Sequence, residues 1–284
     1  MYRITRKMML TPSICLMDVV APRIAAAALP GQFLIVRARP QGERIPLTIC
    51  DFDRSKGIVT IVTQEVGASS RMICSLEEGE SFTDVVGPLG RPSAFVEKPD
   101  SELSGRRFLF VAGGLGTAPV YPQAKYLHER GAHVDIVLGA KTSSLVILRG
   151  QMSEVCDNLY ICTDDGSEGF AGLVTGKVQE LLAAGEHYDQ AVAIGPMIMM
   201  KFVTLTLKDT GIPLDVSLNT LMVDGTGMCG CCRVTVGGRV RFACVEGPEF
   251  NAYEVDFDEA LRRGAMYRTQ EQEADHKFKI GRDS

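Results

Sequence analysis

Four cysteines crowd a short stretch of this chain, Cys229, Cys231, Cys232 and Cys244. They follow an acidic, glycine-rich run that reads Asp224-Gly-Thr-Gly-Met-Cys229-Gly-Cys231-Cys232. Thiols packed this densely in a reducing compartment bind metal or carry redox chemistry. The other five, Cys15, Cys50, Cys74, Cys156 and Cys162, are scattered and are expected to act as small buried hydrophobes.

Cys229 and Cys232 form a C-x₂-C pair, and four residues separate Asp224 from Cys229. Plant-type [2Fe–2S] loops use C-x₄-C-x₂-C and a distant fourth cysteine. This segment keeps that spacing with aspartate in the first place, so Asp224, Cys229, Cys232 and Cys244 form a candidate ligand set. Gly225, Gly227 and Gly230 would let the backbone wrap closely round a cluster. Two other readings stand beside it. The same donors suit structural zinc, as Cys₃Asp or as Cys₄ through Cys231. Asp224-Gly225 also reads as a plain turn, with Cys231 as the fourth ligand. Neighbouring side chains point apart, which favours Asp224 over a Cys231–Cys232 pair.

Three further elements could hold a nucleotide. Gly113-Gly114-Leu115-Gly116-Thr117 joins an apolar strand to a helix start, where backbone N–H groups and the helix dipole attract pyrophosphate. It lacks the G-x-G-x-x-G fingerprint and reads equally as tight strand–helix packing. Asp164 and Asp165 close a later strand. A carboxylate there would accept from ribose hydroxyls and repel a 2′-phosphate, favouring NAD(H), although Asp-Asp-Gly is also an ordinary turn. Gly195-Pro196-Met197 repeats the strand-to-helix step. Upstream, Arg44-Ile-Pro46-Leu47-Thr48 and Gly67-Ala-Ser69-Ser70 offer a cation and hydroxyls to a phosphate-bearing cofactor. Arg44 by itself reads as a surface charge.

The elements that must position these residues fall into blocks. Short strands are expected at Tyr2–Met9, Ile14–Val20, Gln32–Ala38, Ile45–Asp51, Gly57–Gln64 and Ser81–Val86, with one helix at Ser69–Leu76, which suggests a small antiparallel barrel. Pro99–Gly105 reads as a linker. Strands at Arg107–Ala112, His133–Gly139, Leu159–Thr163, Ala191–Ile194 and Leu214–Ser217 then alternate with helices at Thr117–Arg130, Ser144–Val155, Val174–Ala184 and Met197–Asp209. That alternation specifies a parallel sheet covered on both faces. Borders are expected at 1–98 (barrel), 99–218 (α/β), 219–250 (cysteine module) and 251–284 (charged tail, weakly helical at Asp258–Arg263).

Composition excludes several classes. The chain has 284 residues, 45% hydrophobic and 23% charged, as in ordinary globular proteins. A net charge of −5 leaves no basic footprint for nucleic acid. The four histidines show no metal-site spacing. No apolar run suits a signal peptide or a membrane span, so a cytoplasmic location without membrane insertion is expected.

Arg44-x-Pro46-Leu47-Thr48 resembles the flavin signature of the ferredoxin-NADP⁺ reductase superfamily, and the Gly67–Ser70 and Gly113–Pro119 turns resemble its phosphate-binding elements. With a cysteine module behind them, the chain is similar to dihydroorotate dehydrogenase B electron-transfer subunits. Ser217-Leu-Asn-x-x-Met-Val-Asp224-Gly-Thr-Gly-Met-Cys229-Gly-Cys-Cys232-Arg-Val and Phe242-Ala-Cys244-Val-Glu-Gly-Pro-Glu-Phe resemble the small subunits of NADH-dependent reduced ferredoxin:NADP⁺ oxidoreductases, in which aspartate replaces the first cluster cysteine. The resemblance implies FAD held by Arg44, Pro46, Leu47, Thr48, Thr63, Gly67, Ser69 and Ser70. It implies NAD(H) at Gly113, Gly114, Gly116, Thr117, Asp164, Asp165, Gly195, Pro196 and Met197. It also implies a [2Fe–2S] cluster and a heterodimer with a larger flavin and iron–sulfur partner subunit, which the tail would wrap unless it is simply a solvated terminus. The function implied is an electron-transfer flavoprotein subunit, an NAD(H)-dependent oxidoreductase in which no side chain is singled out as catalytic. A dihydroorotate dehydrogenase B partner subunit and a zinc-stabilised nucleotide-binding regulator are the alternatives.

Overall fold

The computed structural model describes residues 2–282. The first third is a seven-stranded antiparallel sheet. Its strands are β1 (Tyr2–Thr11), β2 (Ile14–Val20), β3 (Phe33–Arg37), β4 (Ile45–Asp53), β5 (Ile58–Gln64), β6 (Ser81–Phe82) and β7 (Asp84–Leu89). They run in the order β6-β1-β2-β5-β4-β3-β7. The two edge strands, β6 and β7, are separated in sequence only by Thr83. The sheet must therefore curl round to bring its edges together, and it forms a nearly closed barrel. The single strand expected at Ser81–Val86 is thus two, broken where the chain turns from one edge to the other. Two short helices, α1 (Pro22–Ala27) and α2 (Ala68–Cys74), pack on this barrel. Helix α1 is an addition to the expected elements, and its first residue is a proline, a favoured residue at a helix start.

The expected linker is a short helix, α3 (Asp100–Leu103), with Leu103 fully buried. A second seven-stranded sheet follows, with β8 (Arg107–Gly113), β9 (His133–Ala140), β10 (Asn158–Thr163), β11 (Phe170–Ala171), β12 (Gln190–Ile194) and β13 (Leu214–Ser217). These six are parallel, and β16 (Glu249–Asn251) closes the edge antiparallel to β13. The order β11-β10-β9-β8-β12-β13-β16 turns back between β8 and β12. That reversal is where ligands bind in sheets of this kind. Phe108 to Ala112 of β8 are at most 1% exposed, because a central parallel strand is covered on both faces. The covering helices are α4 (Thr117–His128), α5 (Arg149–Ser153), α6 (Val174–Ala183) and α7 (Met197–Leu207). The helix expected at Ser144–Val155 is only α5, preceded by a 3₁₀ turn at Ser143–Leu145. Leu148, at φ 54°, interrupts the helical path between them.

A two-stranded ribbon, β14 (Arg233–Val236) and β15 (Arg239–Phe242), carries the end of the cysteine loop into α8 (Ala243–Glu246). The tail is more ordered than its composition suggests. Helix α9 (Phe257–Gly264) packs on α7 and β14. Helix α10 (Arg268–Arg282) reaches back to α2, where Asp275 pairs with Arg71 at 2.9 Å. Among the described residues, no helix is long and apolar enough to cross a membrane.

The blocks share their cores. Ile14, Leu16, Cys50 and Val62 of the barrel pack with Phe95, Phe110 and the buried face of α4. Phe33 and Ile35 of β3 pack with Met222, Cys232, Ala243 and Cys244. Burying such side chains stabilises by roughly 1.5–3 kcal/mol each, so barrel, sheet and cysteine loop form one body.

Candidate functional site

A cavity of about 850 Å³ opens where barrel, sheet and cysteine module meet. It has the size of a small-molecule site. From the barrel, Pro46, Leu47 and Thr48 line it, with Phe33, Val62 and Gln64 beside them. Val62 and Gln64 alternate along β5, so Thr63 between them faces away and is 3% exposed. Its hydroxyl is buried without a partner. Arg44 does not line the cavity. Its Nε donates to the carbonyl of Val223 at 3.0 Å and ties the barrel to the cysteine loop.

The Gly67–Ser70 turn lies outside the cavity wall. Ser70 Oγ accepts from the N–H groups of Val66 and Gly67 at 2.8 and 2.9 Å, which fixes the start of α2. Ser69 Oγ donates to Glu43 at 2.5 Å. A Cβ built on Gly67 would meet nothing within 4 Å, so the turn is open to a ligand.

On the sheet side, Gly113, Gly114, Gly116, Gly195 and Pro196 all line the cavity. Their two turns follow β8 and β12 and straddle the reversal of strand order. A Cβ on Gly116 would run into the carbonyl of Ile194, and one on Gly195 would lie 3.1 Å from Gly113 N. The glycines therefore serve close packing of the two turns as well as an open backbone wall. Thr117 is fully buried, and its hydroxyl donates to Gly114 O at 2.8 Å. It shapes the turn rather than facing the cavity. Met197 faces a neighbouring cavity of about 390 Å³, while Ile198 and Met199 line the larger one.

The acidic pair divides. Asp164 lines the cavity. Asp165 Oδ1 accepts from Ser167 N and Oγ at 3.0 and 2.6 Å, and the serine hydroxyl holds its carboxyl below the usual carboxylate range. Lys141, after β9, lines the cavity too and was missed from sequence, because a lone lysine carries no motif. So were Ser217, Leu218 and Pro248, brought there by the β13–β16 pairing.

In the cysteine loop, Cys232 and Cys244 are buried with Sγ atoms 3.2 Å apart, and the N–H of Cys244 points at Cys232 Sγ at 3.4 Å. Burial pushes the Cys244 thiol up to about 12. Cys229 is exposed, and the backbone N–H of Cys231 lowers its thiol from the ordinary value. The Cys231 thiol is raised, first by its hydrogen bond with Cys229. Asp224 Oδ2 accepts from the backbone and hydroxyl of Thr226, and that hydroxyl first of all keeps its carboxyl charged. Gly225 and Gly227 both have φ near +83°, and a Cβ on Gly225 would lie 2.7 Å from Ile35 Cδ1. Glycine thus lets the loop lie against the barrel. Among the described residues, no three acidic, histidine or cysteine side chains converge as a preformed cage. The donors still suit an iron–sulfur centre. Two buried thiols lie close enough to share one metal ion, a third lies on the same loop, and backbone N–H groups face sulfur.

Phe33 and Met222 connect the two sites. Both line the large cavity, and both pack in the core that contains Cys232 and Cys244. One apolar core thus continues from the cavity wall to the buried thiols.

The chain is similar to several known proteins. Residues 219–256 match the iron–sulfur cluster binding domain of dihydroorotate dehydrogenase B. The chain is 45% identical over 258 residues to a dihydroorotate dehydrogenase B (NAD⁺) electron transfer subunit homolog from Thermotoga maritima, covering 91% of this chain and 88% of that one. It is 34% identical over 232 residues to the dihydroorotate dehydrogenase B (NAD⁺) electron transfer subunit of Geobacillus thermodenitrificans, covering 80% and 86%. A chain in the solved structure of an NADH-dependent reduced ferredoxin-NADP oxidoreductase, described for flavin-based electron bifurcation, superposes with a TM-score of 0.89 at 42% identity over 98% of both chains. With these identities and coverages, the chain belongs to the family of dihydroorotate dehydrogenase B-type electron-transfer subunits, which includes the corresponding subunit of NADH-dependent reduced ferredoxin-NADP oxidoreductase.

Proposed function

We propose that this chain is the NAD(H)-dependent electron-transfer subunit of a ferredoxin:NADP⁺ oxidoreductase-type complex and works with a larger flavin and iron–sulfur subunit. Its cofactors are FAD, a [2Fe–2S] cluster and NAD(H). When bound, the flavin supplies two-electron exchange with NADH and the cluster supplies single-electron transfer. The chain contributes position and insulation. The single observation that carries this reading is that Phe33 and Met222 line the cavity and also belong to the apolar core that holds Cys232 and Cys244.

We assign the flavin ring to the wall of Pro46, Leu47 and Thr48, and its phosphates to the Gly67–Ser70 turn with Arg44 nearby. The nicotinamide nucleotide is assigned to Gly113–Gly116, Gly195, Pro196 and Asp164. Thr63, Thr117, Asp165 and Met197 shape these walls from behind or beside them. Asp224, Cys229, Cys232 and Cys244 are the proposed cluster ligands. The working division into 1–98, 99–218, 219–250 and 251–284 keeps each set with its element, although β16 spans the last border. Nine unbridged cysteines support a reducing, cytoplasmic setting.

A visible spectrum of the purified chain is the test. Flavin bands together with iron–sulfur absorption, both bleached by NADH, are expected. A colourless protein with one equivalent of zinc would overturn the reading.

A further inference from the structure

Two cysteines outside the cofactor sites meet beneath α2. Cys15 on β2 is fully buried, and Cys74, the last residue of α2, is 4% exposed. Their Sγ atoms lie 3.0 Å apart, although 59 positions separate them in sequence. Neither residue lines the large cavity or belongs to the cysteine loop. A disulfide has a sulfur–sulfur distance of about 2.05 Å, so closure requires an approach of only about 1 Å.

The two thiols are unequal. The Cys74 thiol beside it, helped by the charge of Lys7, lowers Cys15 from the ordinary value, while Cys74 is raised. The contrast with Cys162, which burial pushes up to about 11, is plain. The lower thiol is the better nucleophile toward an oxidant, and the higher one stays protonated beside it.

We propose that Cys15 and Cys74 form a redox latch, a thiol pair that a peroxide converts to a disulfide pinning α2 to β2. In the first step the Cys15 thiolate attacks the peroxide oxygen, giving a sulfenic acid and hydroxide. The Cys74 thiol then attacks that sulfur, the S–S bond forms, and water leaves. Overall, two thiols and one hydrogen peroxide give one disulfide and two waters. A small-molecule thiol reverses the bond by exchange. Burial restricts the reaction to a small oxidant and to moments when the seven-residue α2 lifts locally. The consequence rests on the reading of the Gly67–Ser70 turn as a flavin phosphate site, because the latch would then hold the flavin in place.

The test treats the purified holoprotein with hydrogen peroxide, unfolds it in iodoacetamide and maps its peptides by mass without reductant. The expected product joins the Cys15 and Cys74 peptides, is lighter than their sum by two hydrogens and separates in dithiothreitol. In Cys74→Ser, Cys15 should stop at a sulfenic acid that dimedone traps. Recovery of both wild-type cysteines as alkylated thiols, or their linkage to other cysteines, would overturn the latch. Flavin retention is read separately, on oxidised protein before and after dithiothreitol, so that any damage to the cluster is common to both arms. Slower flavin loss from the cross-linked form is expected. Equal loss overturns the flavin-holding role and leaves the mass result to decide the latch.

Discussion

The side-chain amide of Gln123 donates to Glu249 Oε1 at 2.8 Å, joining α4 of the nucleotide sheet to β16 behind the cysteine loop. Ser93, fully buried at the end of the barrel segment, donates to the same oxygen at 3.0 Å. One carboxyl therefore ties all three blocks together. Burial pushes it up to about 7, and the charge of Asp215 adds to the effect, against the two hydrogen bonds.

This joint makes stability depend on pH. The carboxyl's ordinary value is 4.5, so between that pH and about 7 the folded chain keeps a proton that the unfolded chain has released. The stabilising contribution is full below 4.5, falls as pH rises toward 7 and is flat above. Its span is about 3 to 4 kcal/mol at most. Glu249→Gln should remove that slope and be more stable than the wild type at pH 8. Thermal unfolding from pH 4.5 to 8 measures this, and parallel curves for both proteins would contradict it.

The fourth cluster ligand is open to a direct comparison. Asp224→Ala should lose most of its iron and its iron–sulfur absorption, while Cys231→Ser should keep both. Iron content and low-temperature paramagnetic resonance of the reduced protein check this. The opposite result would give the place to Cys231, whose thiol already bonds to Cys229.

Asp164 and Asp165 are adjacent but do different things, because only Asp164 lines the cavity. Asp164→Ala should raise the KM for NADH about tenfold, the loss of one charged hydrogen bond, with little change in kcat. Asp165→Ala should loosen the turn at Ser167 and leave that KM within about twofold. Steady-state kinetics with NADH and NADPH separate the two. Equal use of both nucleotides by the wild type would argue against Asp164 as the discriminating group, and Lys141 would then be the residue to change.

The C-terminal helix is held by Arg71, which pairs with Asp275 at 2.9 Å and with Glu65 at 2.9 Å. Asp275→Ala should free α10 from α2 and speed proteolytic cleavage between α9 and α10 several-fold. The visible spectrum should stay unchanged if α10 is only a strap. Unaltered cleavage would show that other contacts hold the helix.

Local pattern was enough to read most of the architecture. The short β-rich runs specify a barrel, and the alternation after residue 107 specifies a parallel sheet, because hydrophobic period and turn residues act over a few positions. The spacing of Asp224, Cys229 and Cys232 likewise lies within one loop. The same local reading failed for Ser144–Val155, where the left-handed Leu148 breaks a helix that composition allows. Asp164 and Asp165, and Gly116 and Thr117, look alike as motif members, yet packing turns one of each pair to the cavity and the other away.

Only the folded chain decided what meets across long separations. Glu249 reads as one charge in a polar tail until β16 pairs with β13 and places it against Ser93 and Gln123. Cys15 and Cys74 read as two isolated buried thiols until α2 packs on the barrel. Arg71 finds Asp275 only because α10 returns across 204 positions. Sequence determined the elements and the chemistry they carry, because those follow from neighbours along the chain. Tertiary packing decided which of those groups touch, because burial against a distant element sets contacts, charge states and access together.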